Sequence, residues 1–159
     1  MVGHPRTLQV ERSARGLRIA IVAARFNAHI VDRLLSGAVQ ALTEAGALSD
    51  GVDVIRVPGA FEIPLAVKQA AVSRRYNASI ALGAVIRGET PHFDYVAGEC
   101  ARGVMQVMLE TGVPVGFGVL TCDTLEQAQA RAGGAAGNKG ADAARAAMEM
   151  AGLLQHLAN

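Results

Sequence analysis

One histidine in this chain stands where it could move a proton. His92 follows Thr90 and Pro91. A Thr-Pro pair reads as an N-cap and a first helical residue, which puts His92 at the second helical position. Free backbone donors and the positive end of the helix dipole surround such a ring, and that field favours the proton-accepting form. Gly88, Glu89 and Thr90 bring further amide groups to the same point, a setting suited to a phosphate or carboxylate. The same residues also describe an ordinary capped helix with a histidine in solvent. His4, His29 and His156 lie on an N-terminal arm or on helices and read as solvated.

Two aromatic rings offer a different chemistry. Phe26 precedes Asn27, and Phe61 precedes Glu62. A ring of this kind can stack on a planar heterocycle while its polar neighbour orients it. It can equally cap a sheet edge, and Glu62 suits a helix start on dipole grounds alone. Arg131 and Lys139 bracket a glycine-rich stretch, where they would either neutralise a phosphate or remain solvated cations on a flexible loop. Asp32, Asp94, Asp142 and Glu149 lack metal-ligand spacing and read as helix-surface charges. Gly83 to Gly88 imitates a phosphate-binding loop but continues Glu89-Thr90, where that motif needs Lys and then Ser or Thr. A nucleotide triphosphatase is thereby excluded. No GxGxxG follows a strand, which disfavours a dinucleotide fold.

The elements that must position these residues alternate. Residues 17–23, 52–57, 79–86 and 113–120 read as strands, the first and third as continuous apolar runs. Helices are expected over 30–45, 62–75, 91–111, 124–132 and 138–157. Their apolar faces carry Val31, Leu35, Val39 and Leu42; Ile63, Val67 and Ala71; Val96, Cys100, Val104 and Val107; and Ala143, Ala147, Met150, Leu154 and Leu157. Gly46 ends the first helix. This order predicts an α/β fold, a parallel sheet with helices on both faces. Ligands in such folds bind beyond the carboxyl ends of the strands. The four turns at those ends begin at Ala24, Pro58, Arg87 and Thr121, and they hold much of the chain's reactive inventory. Residues 1–16 fit no helix and read as a frayed arm or an extended segment docked on a neighbour.

Composition sets the limits. The 159 residues are one domain's worth. Hydrophobic residues make up 51%, enough to exclude disorder. A net charge of +1 argues against a general nucleic-acid binder and a polybasic membrane anchor. Cys100 and Cys122 form neither a disulfide scaffold nor a zinc site. No apolar run reaches the length of a membrane span, and residues 1–16 lack the apolar core of a secretory signal. A cytoplasmic protein is expected. The mean hydropathy of +0.27 fits either a well-buried parallel sheet or a surface covered by other subunits.

The turns together resemble the lumazine synthase family. The matching stretches are ARFN at 24–27, VPGAFEIP at 57–64, GAVIRGETPHFDYVAGE at 83–99, and FGVLTCDTLEQAQARAG with GNKG over 117–140. They cover the chain from about residue 17 to its end, in order and with spacing kept. Pro91 departs from the residue many members carry, and Gly134-Ala135 replaces the commoner Thr-Lys. The resemblance implies a three-layer α/β/α sandwich, flavodoxin-like, with a four-stranded parallel sheet over 17–159 and an N-terminal extended arm over 1–16. It implies the condensation of 5-amino-6-(D-ribitylamino)uracil with 3,4-dihydroxy-2-butanone 4-phosphate to give 6,7-dimethyl-8-ribityllumazine, phosphate and water, with no cofactor and no metal.

Roles follow from the same resemblance. Phe26 would stack on the pyrimidine. Ala60, Phe61 and Glu62 would hold the ribityl chain. Ala84, Val85 and Ile86 would offer backbone groups to the pyrimidine edge. Glu89 and Thr90 would bind the butanone phosphate with Arg131, and His92 would shuttle protons. Phe117 and Lys139 would complete the ring pocket. Phe117, Arg131 and Lys139 would come from an adjacent chain, in pentamers and, given the uninterrupted 131–140 stretch, in a sixty-subunit icosahedral shell. An archaeal-type riboflavin synthase is the enzymatic rival, disfavoured by GETPHFDYV and GNKG. A carrier or shell protein without catalysis is the other rival, disfavoured by His92 and Arg131.

Overall fold

A computed structural model describes residues 3–159; Met1 and Val2, within the expected arm, lie outside the described residues. In chain order the elements are β1 (Ile19–Ala24), α1 (Ala28–Glu44), β2 (Val52–Val57), α2 (Ile63–Val72), β3 (Ala78–Ile86), α3 (His92–Thr111), β4 (Val115–Cys122), α4 (Leu125–Arg131), β5 (Ala132–Gly134), β6 (Gly137–Asn138) and α5 (Lys139–Ala158). The four long strands form one parallel sheet in the order β2-β1-β3-β4. This is the expected α/β fold, flavodoxin-like in strand order.

The apolar runs are buried because both sheet faces are covered. Ile19, Ile21 and Ala23 of β1 join Ile80 and Leu82 of β3 in a cluster with α1 and α5. Val22 and Ala24 face the other way, into a cluster with α2 and α3. Glycine lets α5 sit close. A Cβ at Gly116 of β4 would run into the backbone carbonyl of Ala143, and one at Gly140 would run into that of Leu34 on α1. At the end of α1, Gly46 adopts φ 97 and its N–H returns to the Thr43 carbonyl.

Some expectations shift. The buried stripe of α1 runs through Ile30, Val31, Leu34, Ala38, Ala41 and Leu42. Val39, expected inward, is exposed because Leu34 and Ala38 take the sheet-facing positions. On α5, Ala143 and Ala147 are buried, but Met150, Leu154 and Leu157 are exposed, and Ala144, Met148 and Ala151 face the core instead. The fourth strand begins at Val115 rather than at residue 113: the Pro114 carbonyl accepts from Ser79 N–H, but proline has no N–H to return. The glycine-rich stretch is not a plain loop, since Ala132 and Gly134 pair antiparallel with Asn138 and Gly137. In the arm, Ala14 is buried and its N–H donates to the Ala45 carbonyl, and Arg12 pairs with Glu149 of α5 at 2.9 Å. The described arm thus docks on its own chain from Val10 onward, where Gly152 lies against Val10 and Glu11.

Candidate active site

The carboxyl ends of the strands are tied together beyond the sheet itself. The turn after β1 is fastened to the turn after β2: Arg25 N–H donates to the Val57 carbonyl (2.8 Å) and Phe26 N–H to the Pro58 carbonyl (3.0 Å). Asn27 then adopts the left-handed conformation, φ 59 and ψ 44, which asparagine tolerates better than most residues. Its side-chain amide donates to the Ala84 carbonyl at 2.8 Å. That contact takes one of its two amide N–H groups.

These ties place Phe26, Phe61 and Glu62 on neighbouring turns. Both rings are largely exposed, Phe26 at 71% and Phe61 at 60%. Neither caps the sheet in this chain. Gly59 keeps the space between them narrow, with the carboxylate of Glu62 and the Cβ of Phe26 both close to where a Cβ at 59 would lie. Ala60 is buried beneath, against the position of Gly83 on β3. Residues 60–62 form a single 3-10 turn that leads into α2.

β3 outruns β1. Its pairing with β1 ends at Leu82, whereas its pairing with β4 continues to Ile86. In a parallel strand the N–H and C=O of one residue point to the same side, and successive residues alternate. Ala84 points to the β1 side, where Asn27 meets its carbonyl. Arg87 points to β4, where its N–H meets the Cys122 carbonyl at 2.9 Å. Val85 therefore faces β4 and Ile86 faces the β1 side, where no strand meets it. A strand edge whose donor and acceptor find no partner among the described residues, on the same end of the sheet as two exposed phenyl rings, can hold the hydrogen-bonding edge of a flat ring.

The third turn differs from expectation at one residue. α3 begins at His92, with Pro91 as its N-cap at φ −69 and ψ 4, and no side chain caps it. Thr90 is not the cap: its hydroxyl lies 3.4 Å from the His92 N–H, at the limit of a hydrogen bond. The ψ of Pro91 is not helical, so the helix starts one residue later than the Thr-Pro spacing suggests. Glu89, Thr90 and His92 are all exposed there.

Arg131 ends α4, half-buried, with its guanidinium donating to the Gln127 carbonyl at 3.0 Å. Burial raises the Cys122 thiol pKa, and the positive charge of Arg131 opposes that shift. Arg131 thus stands behind the end of β4. Phe117 pairs with Ala81 in the middle of β4 and is 42% exposed. It lies five residues short of Cys122, about 17 Å along the strand. Lys139 opens α5 beside Asp142, at 3.5 Å, and Asn138 next to it donates to the Arg33 carbonyl on α1. The chain therefore gathers Phe26, Ala60, Phe61, Glu62, Ala84, Val85, Ile86, Glu89, Thr90 and His92 along one sheet edge. It leaves Phe117 and Lys139 away from that edge.

Arg87 is the residue sequence reasoning missed. Its Nε donates to Asp123 at 2.9 Å, and an Nη reaches Asp94 at 3.3 Å. Its guanidinium carbon lies 4.3 Å from the centroid of Phe93. The hydrogen bond to Asp123 leads in raising its pKa. Asp94 is an exposed charge on α3, as expected, and this ion pair is its contact with the end of β3. Among the described residues no group of three or more His, Cys, Asp or Glu is placed to hold a metal ion, and no helix is long and apolar enough to cross a membrane.

Comparison with known proteins gives a consistent answer. The family model described as 6,7-dimethyl-8-ribityllumazine synthase matches residues 16–155. A protein of that name from Desulfotalea psychrophila is 55% identical over 153 residues, covering 96% of this chain and 99% of the relative. Another, from Nitratidesulfovibrio vulgaris strain Miyazaki F, is 51% identical over 154 residues, covering 97% of this chain and 99% of the relative.

Proposed function

The chain belongs to the 6,7-dimethyl-8-ribityllumazine synthase family, and from that premise we infer how its residues divide the work. The reaction is a transferase step of riboflavin biosynthesis. It condenses 5-amino-6-(D-ribitylamino)uracil with 3,4-dihydroxy-2-butanone 4-phosphate, giving 6,7-dimethyl-8-ribityllumazine with loss of phosphate and water.

In this reading Phe26 stacks on the pyrimidine, and the open backbone of Ile86, with Val85 and Ala84 beside it, meets the polar edge of the ring. Ala60 and Phe61 line the path of the ribityl chain, and Glu62 accepts from its hydroxyls. Glu89 and Thr90 offer amides at the start of α3 to the phosphate of the second substrate, with Arg131 as counter-charge. His92 carries protons between the amine, the carbonyl and the leaving groups as the imine forms and phosphate departs. Much of the rate comes from holding two reactants together, a contribution on the order of 7–11 kcal/mol at best. The observation that carries this reading is the overhang of β3 past β1, flanked by Phe26 and followed by the His92 turn.

Phe117, Arg131 and Lys139 act on a neighbour's site. Support comes from the mid-strand position and exposure of Phe117 and from the exposed Met150, Leu154 and Leu157 of α5. The assembly is a pentamer, closed further into a sixty-subunit shell, in the cytoplasm. Residues 17–159 form the catalytic unit and 1–16 its arm.

The test is turnover. The protein is mixed with both substrates, and lumazine fluorescence and released phosphate are followed above the spontaneous background. The two signals rise together if the reading is right. Tight binding of the pyrimidine or of riboflavin with no rate above background would make the protein a carrier or shell. Sedimentation velocity of the same sample separates a monomer, a pentamer and a shell.

A further inference from the structure

We infer that Arg87 is a positioning residue for His92, acting by fixing the first turn of α3 against the ends of β3 and β4. This rests on the reading of His92 as the proton carrier. Among the described residues no side chain caps α3, and the one polar side-chain contact at its first residue is the long one from Thr90. An uncapped helix end frays. The residues immediately after His92 are Phe93 and Asp94, and both are held by the same guanidinium: Phe93 under its face, Asp94 at its edge.

The other side of Arg87 is anchored more firmly. Its backbone N–H is bonded to Cys122 and its Nε to Asp123. Asp123 is itself set by Gln127, whose side-chain carbonyl accepts from the Asp123 and Thr124 N–H groups while Thr124 caps α4. The guanidinium thus joins the capped start of α4 to the uncapped start of α3. Exposed ion pairs of this kind contribute little to stability, and Arg87 is 45% exposed. Three contacts on one cation in that setting serve geometry. A planar fork with donors on two edges and an aromatic-stacking face can make them together, and a lysine cannot.

The test is a double-mutant cycle read as kcat and KM on folded, assembled enzyme, checked by circular dichroism and sedimentation. Arg87→Met keeps an unbranched stem out to about the position of Nε and removes the fork. It should lower kcat about tenfold, as a small misplacement of a proton carrier does, and leave KM for the pyrimidine within about twofold. In a His92→Ala background the same substitution should change kcat by no more than about twofold, because the group it positions is gone. Arg87→Lys should recover only part of the loss. Equal losses from Arg87→Met in both backgrounds, or a raised KM with kcat intact, would overturn the inference while leaving His92 as proton carrier. A His92→Ala enzyme with unchanged kcat would overturn the proton-carrier reading, and this inference with it. If Arg87→Met does not fold, Asp123→Ala and Asp94→Ala each remove the acceptor of one arm of the fork. A kcat loss of about threefold from either, absent in the His92→Ala background, supports the inference; wild-type kcat in both overturns it.

Discussion

The side-chain amide of Asn27 reaches across from the end of β1 to donate to the Ala84 carbonyl of β3, 57 residues away, at 2.8 Å. The contact does two jobs. It holds the left-handed turn that presents Phe26, and it occupies a carbonyl on the overhanging edge of β3. Asn27→Ala should therefore lose both a hydrogen bond and a residue suited to φ 59, costing about 1–2 kcal/mol. Chemical denaturation measures that loss. Because Phe26 moves with the turn, KM for the pyrimidine should rise in the same variant. A stable protein with wild-type KM would show that the turn holds without this bond.

Arg131 is proposed to neutralise the phosphate of the second substrate. Removing one charge-assisted contact costs about 1.5–3 kcal/mol, so Arg131→Ala should raise KM for the butanone phosphate about ten- to a hundredfold. KM for the pyrimidine should stay close to wild type. Steady-state kinetics with each substrate varied in turn decides it; an unchanged KM for the phosphate substrate removes Arg131 from that role.

A methyl group at Gly116 has nowhere to go, since the Ala143 backbone of α5 lies against it. The obstacle is backbone, so it yields only if α5 moves. Gly116→Ala should cost about 1–3 kcal/mol by overpacking, seen as a fall in the thermal midpoint. A wild-type midpoint would mean that α5 shifts freely over β4.

Cys100 is buried on α3, and burial pushes its thiol from 9.0 up to about 11. The folded state then keeps its proton where the unfolded chain has lost it. This contribution to stability is fully present below pH 9 and is lost as pH rises from 9.0 to about 11, at no more than about 1.4 kcal/mol per pH unit. Denaturation midpoints across that range should fall more steeply for the wild type than for Cys100→Ala. Parallel slopes would rule the thiol out as the cause. Native Cys100 should also resist alkylation at pH 8.

The sequence made the layered α/β plan readable, because buried parallel strands leave continuous apolar runs and helices leave a 3.6-residue stripe. VDVIRV reads as a strand over 52–57, and the strand has those bounds in the fold. Packing and backbone geometry decide the rest at particular positions. Val113-Pro114 extends an apolar run, but only backbone pairing tells that β4 starts at Val115. Val39 and Ala38 fit the same helix equally well, and the sheet chooses between them. Thr90-Pro91-His92 carries the composition of a cap, whereas the ψ of Pro91 decides where the helix begins. The motif residues near the strand ends were legible as a group. Arg87 was not, because its partners Asp94 and Asp123 lie 7 and 36 residues away and share no pattern with it.

The distance of Phe117 and Lys139 from the turns that carry Phe26 and His92 has a genetic corollary. If each site draws one half from each of two chains, then two defective alleles can rescue one another. Co-assembled His92→Ala and Lys139→Ala chains would contain some interfaces at which both halves are intact, about one in four under random mixing. Alleles damaged in the same half, such as His92→Ala with Glu62→Ala, would leave no such interface and no recovery.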